Sequence, residues 1–466
     1  MLVHTVILIA ICFCLISSLS GLLALVESRW SAKAADSRKQ AERAVGETAA
    51  LKADGCPACQ AAALSVEARP SPPPRLEPKR GRRRSVDTSI HYCPNENCAY
   101  YGWVGLGNIR ANGHPHRSDW RQLECVVCHT YFMETINTIF YRKRASAELI
   151  WQVLTALAEG LGIRATARVF DLDPNTVEAW LRQAGQQMTA VSHYLIHDLH
   201  LTQVQVDELW ALLGQQDMDE ASQKQQAKRW VWTGMDPVSK LWLAYVIGDR
   251  SQENAQLLIH AIVLLLAPGC FPLFISDQWS AYGAALLTHF GHWVQLPRRG
   301  SRGPLPKPRW LPLPQLHYAQ VVKQRLKGRV VSVSHRVVYG SLETVESLLA
   351  KSAGQVINTA FMERLNLSIR QHVSALGRKV ATLAKGEAGL DDLLALYQAY
   401  YNFCLPHAAL RLALPEPQPT KGAGSYQKWL PQTPAMAASL TDHVWRMEEL
   451  LLFRVPPWPQ RQTLPA

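Results

Sequence analysis

Three carboxylates and four thiols have the residue types and spacing to do chemistry. A run alternating apolar and polar residues, with Val204 and Val206 on one face, stops at Asp207, Glu208 and Trp210. Asp277 follows an apolar run, 271–275, and Glu363 lies in a stretch of helical period, with Asn366 and Arg370 three and seven residues on and therefore on one face. Three carboxylates are the minimal set for a pair of Mg²⁺ (or Mn²⁺) ions about 3.5 to 4 Å apart that serve the attacking and leaving oxygens of a phosphodiester. Arg370, two turns beyond Glu363, is placed to ground a DNA phosphate. The thiols are Cys93 and Cys98 (CPNENC) and Cys125 and Cys128 (CVVC), two tight turns separated by 26 residues. Two such turns present four sulfurs to one Zn²⁺, and a closed four-sulfur shell makes the metal structural, leaving the adjacent His129 outside it.

The elements that must hold these groups are legible around them. After the alternating run, strand-like segments 229–235 and 241–247 flank the turn Asp236-Pro237-Val238-Ser239. A helix over 252–266 and the buried strand 271–275 follow. Three strands, a helix and a strand are the opening order of an RNase H-like fold. In that order the first and fourth strands lie side by side and bring Asp207 and Asp277 together, with the later helix, capped by Asn358, supplying Glu363. Residues 146–187 predict three helices. Asp173 stands as the N-cap of the third and Pro174 at its first turn, which is the grammar of a helix-turn-helix. In that motif the N-terminal residues of the last helix reach base edges, nominating Asn175, Thr176, Glu178 and Arg182.

Composition narrows the partners. The chain has 466 residues, with 49 Lys plus Arg against 37 Asp plus Glu, a formal charge of +12. That balance favours a polyanion such as double-stranded DNA, and 48% hydrophobic residues exclude wholesale disorder. The basic charge is concentrated in two Pro-rich stretches, 69–84 and 298–309. The first reads either as an arm that contacts phosphates or as a solvated spacer. Ten cysteines, mostly in close pairs, indicate metal in a reducing compartment rather than disulfides, so a cytoplasmic location is expected. Residues 2–26 carry no Lys, Arg, Asp or Glu, long enough for a single-pass membrane anchor with the bulk of the chain cytoplasmic. A start codon placed too far upstream is the alternative account of them. Cys56 and Cys59 form an isolated pair with no assigned role.

From Cys93 to Arg411 the chain resembles DDE transposases of the insertion-sequence-one family. The segments that carry the resemblance are QVDELW (205–210), ISDQWSAY (275–282), NTAFMERLNLSIRQH (358–372) and YYNFCLPHAALR (400–411). The resemblance implies an α/β chain: an RNase H-like mixed sheet with flanking helices, preceded by a small zinc ribbon and an all-α helix-turn-helix. It makes Asp207, Asp277 and Glu363 the catalytic triad and metal ligands, with Arg370 as the basic companion and Asn366 beside DNA. The implied activity is DNA transposition, in which terminal inverted repeats are bound, phosphodiesters hydrolysed and strands transferred, with at least a homodimer on DNA. The alternative is a catalytically inactive DNA-binding protein of the same architecture, tethered to a membrane if the apolar segment is an anchor.

The expected layout is an apolar segment 1–27, a helical and Pro/Arg-rich linker 28–88, a zinc-ribbon-like module 89–140 and a helix-turn-helix 141–195. A catalytic domain 200–415 and a C-terminal tail 416–466 complete it. Because 86 positions separate Asp277 from Glu363, against 70 between the two aspartates, residues 298–357 read as an insertion that contacts DNA. Glu343 and Glu346 are then substitutes for the third acid, but neither has an Arg two turns later.

Overall fold

The computed structural model describes residues 71–76, 87–115, 119–213, 228–298, 305–327, 329–350, 356–377, 384, 386–420, 426–458 and 460. The apolar segment 2–26, Cys56 and Cys59, most of the basic stretch 69–84 and residues 299–304 of the second lie outside the described residues. Among the described residues no helix is long and apolar enough to cross a membrane.

The Cys-rich segment forms a three-stranded antiparallel sheet of β1 (Ile109–Ala111), β2 (Gln122–Cys125) and β3 (Tyr131–Met133). Three helices follow, α1 (Ala147–Ala158), α2 (Ile163–Val169) and α3 (Pro174–Leu195). The Ser146 hydroxyl caps α1 by accepting from the Leu149 amide, and the Asp173 carboxylate caps α3 by accepting from the Asn175 amide, so both helices start where the capping residues require.

The central sheet has six strands in the order β11-β10-β7-β4-β5-β6. These are β4 (Gln203–Leu212), β5 (Lys228–Met235), β6 (Trp242–Gly248), β7 (Leu273–Asp277), β10 (His317–Leu326) and β11 (Arg329–Tyr339). β7 runs parallel to both β4 and β10, and the other pairings are antiparallel. The hairpin between β5 and β6 turns on Asp236, whose carboxylate accepts from the amides of Val238 and Ser239. Helices α4 (Gln252–Leu265), α5 (Ala281–Phe290), α6 (Leu342–Ala350), α7 (Ala360–His372) and α8 (Glu387–Ala399) flank this sheet. A mixed six-stranded sheet with flanking helices is consistent with an RNase H-like core.

Two stretches of the expected layout contain structure that the sequence alone does not assign. The stretch 298–357, expected as an insertion that contacts DNA, contains β10, which pairs along β7, and the edge strand β11. β8 (Gly291–Val294) and β9 (Arg309–Pro312) form a separate two-stranded sheet. In the stretch 416–466, expected as a C-terminal tail, the described residues 416–420, 426–458 and 460 include regular elements. They contribute to the hairpin of β12 (Leu412–Gln418) and β13 (Gln427–Leu430), then form α9 (Pro434–Ala437) and α10 (Met447–Leu452). The last described segment lies against the Cys-rich sheet. Tyr92 donates to the Val455 carbonyl at 3.0 Å, and buried Arg454 stacks over the rings of Tyr92 and Phe132. Gly102, at φ +72°, leaves room for Pro457 and Trp458, which a Cβ there would meet at 2.5 to 2.8 Å.

The three-helix segment α1–α3 shares its core with the sheet. Val177, Leu181, Ala184 and Met188 of α3 are buried in the same cluster as Leu390, Leu394 and Tyr397 of α8. The contact is close because Gly185 has no side chain: a Cβ there would lie 2.8 Å from the Asp392 Cα. Gly185→Val is therefore expected to separate α3 from α8 and destabilise the protein by about 1 to 3 kcal/mol, the scale of overpacking. Thermal unfolding measures this, and an unchanged midpoint contradicts it.

Candidate active site

Strand pairing sets the position of each carboxylate. Gln205 is level with Ile275 in the parallel β4–β7 pair, so Asp207 is level with Asp277, the last residue of β7. β4 itself continues to Leu212, which puts Asp207 inside a strand rather than at its end. Successive side chains on β4 point to opposite faces. Gln205 and Asp207 face α7: the Gln205 amide donates to the Asn358 carbonyl and its oxygen accepts from the Met362 amide. Asn366 of α7 donates to Asp207 Oδ2 at 2.9 Å. Val206 and Glu208 face α4 and α5.

The three expected acids do not form one closed set. Carboxylate oxygens of Asp207, Glu208 and Asp277 lie within 4.8 Å of one another, close enough to share a cation. Glu363 stands outside that group and is ion-paired to Lys323 of β10, with a side chain 56% exposed. Its charge still reaches Asp207. Asn358 does not cap α7 as expected: Thr359 is the N-cap, and the Asn358 side chain accepts from the Ala360 amide just inside the helix. Asn366, expected to face DNA, is buried and bonded to Asp207, so it orients a carboxylate. Arg370 donates to the carbonyls of Leu376 and Trp210.

The dominant electrostatic feature is burial, reinforced by neighbouring carboxylates. Burial, reinforced by Asp277 and Glu363, pushes Asp207 up to about 6, against the opposing Glu208 amide and Lys323. Burial and then Asp277 push Glu208 up to about 7, opposed by Tyr282 and Arg250. Both values exceed the ordinary 3.8 and 4.5, so the folded protein binds more protons here than the unfolded chain. The associated stability is present below about pH 4 and lost as pH rises through about 6 to 7. In EDTA, Asp207→Asn should therefore raise the melting temperature above wild type at pH 7.5 and raise it less at pH 5. Differential scanning fluorimetry at the two pH values checks this, and an equal difference at both contradicts it.

The second centre is the Cys cluster. Cys93 and Cys128 sulfurs are 3.6 Å apart, those of Cys98 and Cys125 are 4.0 Å apart, and all four lie within 4.8 Å. Four thiolates about 2.3 Å from a tetrahedral Zn²⁺ would be separated by about 3.8 Å, so these distances fit that ion. The Tyr100 amide and Asn108 side chain point at the Cys98 and Cys125 sulfurs, supplying the outer hydrogen bonds such a site needs. His129 turns away to Glu124 and is largely exposed.

On α3, Asn175 and Arg182 are exposed and Thr176 is half-buried. Arg182 is paired with Glu178 one turn earlier at 3.4 Å. Sequence reasoning missed Glu208, because alternation puts it on the face opposite Asp207, and Lys323, because β10 lies within the stretch read as an insertion.

No family model and no curated protein matches the sequence. Among solved structures, the Mos1 strand transfer complex aligns at 13% identity over 32% of this chain and 56% of that chain, with a TM-score of 0.14. A pre-cleavage Mos1 transpososome aligns at 13% identity over 31% and 57%, TM-score 0.13. The Mos1 mariner paired end complex with Mn aligns at 15% identity over 51% and 80%, TM-score 0.14. In the first of these the aligned part spans little more than half of the Mos1 chain. Overlap this small carries no argument about the activity of the present chain.

Proposed function

We propose that this chain is a DNA transposase that binds the ends of its element and catalyses metal-dependent phosphodiester hydrolysis and strand transfer. The observation that carries the reading is the convergence of Asp207 and Asp277 on adjacent parallel strands, with Glu363 on the helix that packs over Asp207. The crowded negative charge at Asp207, and the close spacing of the Asp207 and Asp277 oxygens in a cluster that also holds Glu208, fit a divalent-cation site. Asp207, Asp277 and Glu363 would hold Mg²⁺ or Mn²⁺, which when bound supplies Lewis-acid activation of the attacking oxygen and charge neutralisation at the leaving oxygen.

The chain's own residues do the rest. Asn366 fixes the Asp207 carboxylate, the Trp279 amide holds Asp277 by donating to its Oδ1 at 3.0 Å, and Lys323 balances Glu363. Lys323, Arg325 and Lys327 on β10 and its turn continue from the carboxylates into solvent, a path suited to a DNA backbone. Hydrolysis at each end frees a 3′-hydroxyl that attacks target DNA in line, so no Ser, Tyr or Cys nucleophile is needed. Cutting two ends together requires at least two copies on DNA.

The exposed N-terminal face of α3 is the proposed reader of the ends. With DNA flanking the chain's own gene as probe, Asn175→Ala and Arg182→Ala should each weaken specific binding by about 1 to 3 kcal/mol in a gel shift, leaving binding to unrelated DNA near wild type. Unchanged specific binding in both variants contradicts this assignment. A non-catalytic DNA-binding protein of the same architecture is the second reading, favoured by the Lys323 ion pair that engages Glu363. Normal end binding without cleavage in Mg²⁺ or Mn²⁺ would select it.

A further inference from the structure

We propose that Glu208 is a further ligand of the divalent-cation site, completing a three-carboxylate group with Asp207 and Asp277, and that Arg250 is a positioning residue which holds Glu208 until a cation replaces it. The inference rests on the cation-site reading above and adds a residue to it.

Strand alternation alone would separate Glu208 from Asp207, because consecutive residues of β4 face opposite sides of the sheet. The end of β7 removes that separation. β4 pairs with β7 through Gln205, β7 stops at Asp277, and β4 continues past the notch. Carboxylates from both faces of β4 meet Asp277 there, with oxygens of all three within 4.8 Å.

The surroundings of Glu208 point to a missing ligand. Its side chain is only 2% exposed, and Oε2 accepts from Arg250 Nη2 at 3.1 Å. Oε1 is buried without a hydrogen-bond partner. Beside it stands the fully buried hydroxyl of Tyr282, which acts on Glu208 as a hydrogen-bond donor does although it lies outside the geometry of a well-formed bond. A buried carboxylate oxygen whose one nearby donor, the Tyr282 hydroxyl, is poorly placed is costly, so such a group has room for a cation aimed at it. Arg250 is held between two indoles, 5.0 Å from the Trp230 ring and 4.9 Å from the Trp279 ring. Its guanidinium engages one oxygen of one of the three clustered carboxylates, and a second cation that reaches them, Lys323, is ion-paired to Glu363.

The test uses the full chain without DNA and Mn²⁺ alone as probe, with free Mn²⁺ followed by electron paramagnetic resonance. Glu208→Gln should weaken Mn²⁺ binding at least about tenfold. Arg250→Met, which removes the competing cation, should strengthen it. Glu208→Asp keeps the charge but withdraws the oxygens, and it should also weaken binding; it decides the matter if circular dichroism shows that Glu208→Gln does not fold. Wild-type affinity in both Glu208 variants, with Asp207→Asn impaired, overturns the role of Glu208 and leaves the wider reading intact. Weakening by Arg250→Met equal to that by Glu208→Gln also overturns it, since Glu208 would then act only as the partner of Arg250. A wild-type chain that binds no Mn²⁺ overturns this proposal and the cation-site reading together.

Discussion

Asp207→Asn is expected to abolish end cleavage and strand transfer while leaving binding to element ends within about twofold of wild type. The loss should be on the order of 10³-fold or more, because groups that act as a unit lose nearly all of their effect when one member is removed. The substitution is close to isosteric, and Asp207 is packed between β7 and α7, so the fold should survive it. The amide that replaces the carboxylate loses the negative charge needed to hold a cation, while its one oxygen can still accept from Asn366, the donor to Asp207 Oδ2 in the wild type. Binding should persist because the exposed face of α3 lies on a different element. A radiolabelled end-cleavage assay in Mg²⁺ paired with a gel shift separates the two effects. Cleavage retained in the variant defeats the assignment of Asp207, and loss of binding in parallel with cleavage points to misfolding.

The second large effect is expected at the thiol cluster. Cys125 is fully buried, its sulfur packs against Cys98 and receives the Asn108 amide, and β2, which it ends, is the middle strand of the small sheet. Cys125→Ser should remove one equivalent of zinc and melt that sheet. Structural zinc in small domains is worth about 10 to 16 kcal/mol of apparent binding free energy, far more than the few buried side chains here can replace. Tyr92 and Phe132, which hold Arg454 from the C-terminal segment, would move with it. Elemental analysis for zinc and limited proteolysis check both parts. A purified wild-type chain without zinc, or a Cys125→Ser variant as protease-resistant as wild type, contradicts the prediction.

Much of the frame was readable because it rests on local rules. Asp173 and Pro174 announced the start of α3, Asp236 the tight turn between β5 and β6, and apolar periodicity the helix α4. The side-by-side placement of Asp207 and Asp277 followed from element order. What the sequence concealed depended on contacts between distant segments. β10 is short of apolar residues beyond Val322 and follows a Pro-rich stretch, so only its pairing with β7 reveals it as a sheet strand. Glu208 joins the site because β7 ends beside it, which the pattern within β4 does not record. Asn366 is expected beside DNA, but the helical phase it shares with Glu363 turns it toward Asp207. The folding of the C-terminal segment depends on Trp445 against Phe403 and Arg454 against Tyr92, pairs far apart in the chain.

The most direct test is anomalous diffraction from crystals of the full chain soaked in Mn²⁺ at saturating concentration. The account predicts an anomalous peak at the notch beyond β7, within coordination distance of carboxylate oxygens of both Asp207 and Asp277. A peak elsewhere with none at that notch, in crystals whose carboxylates are accessible to solvent, would contradict it.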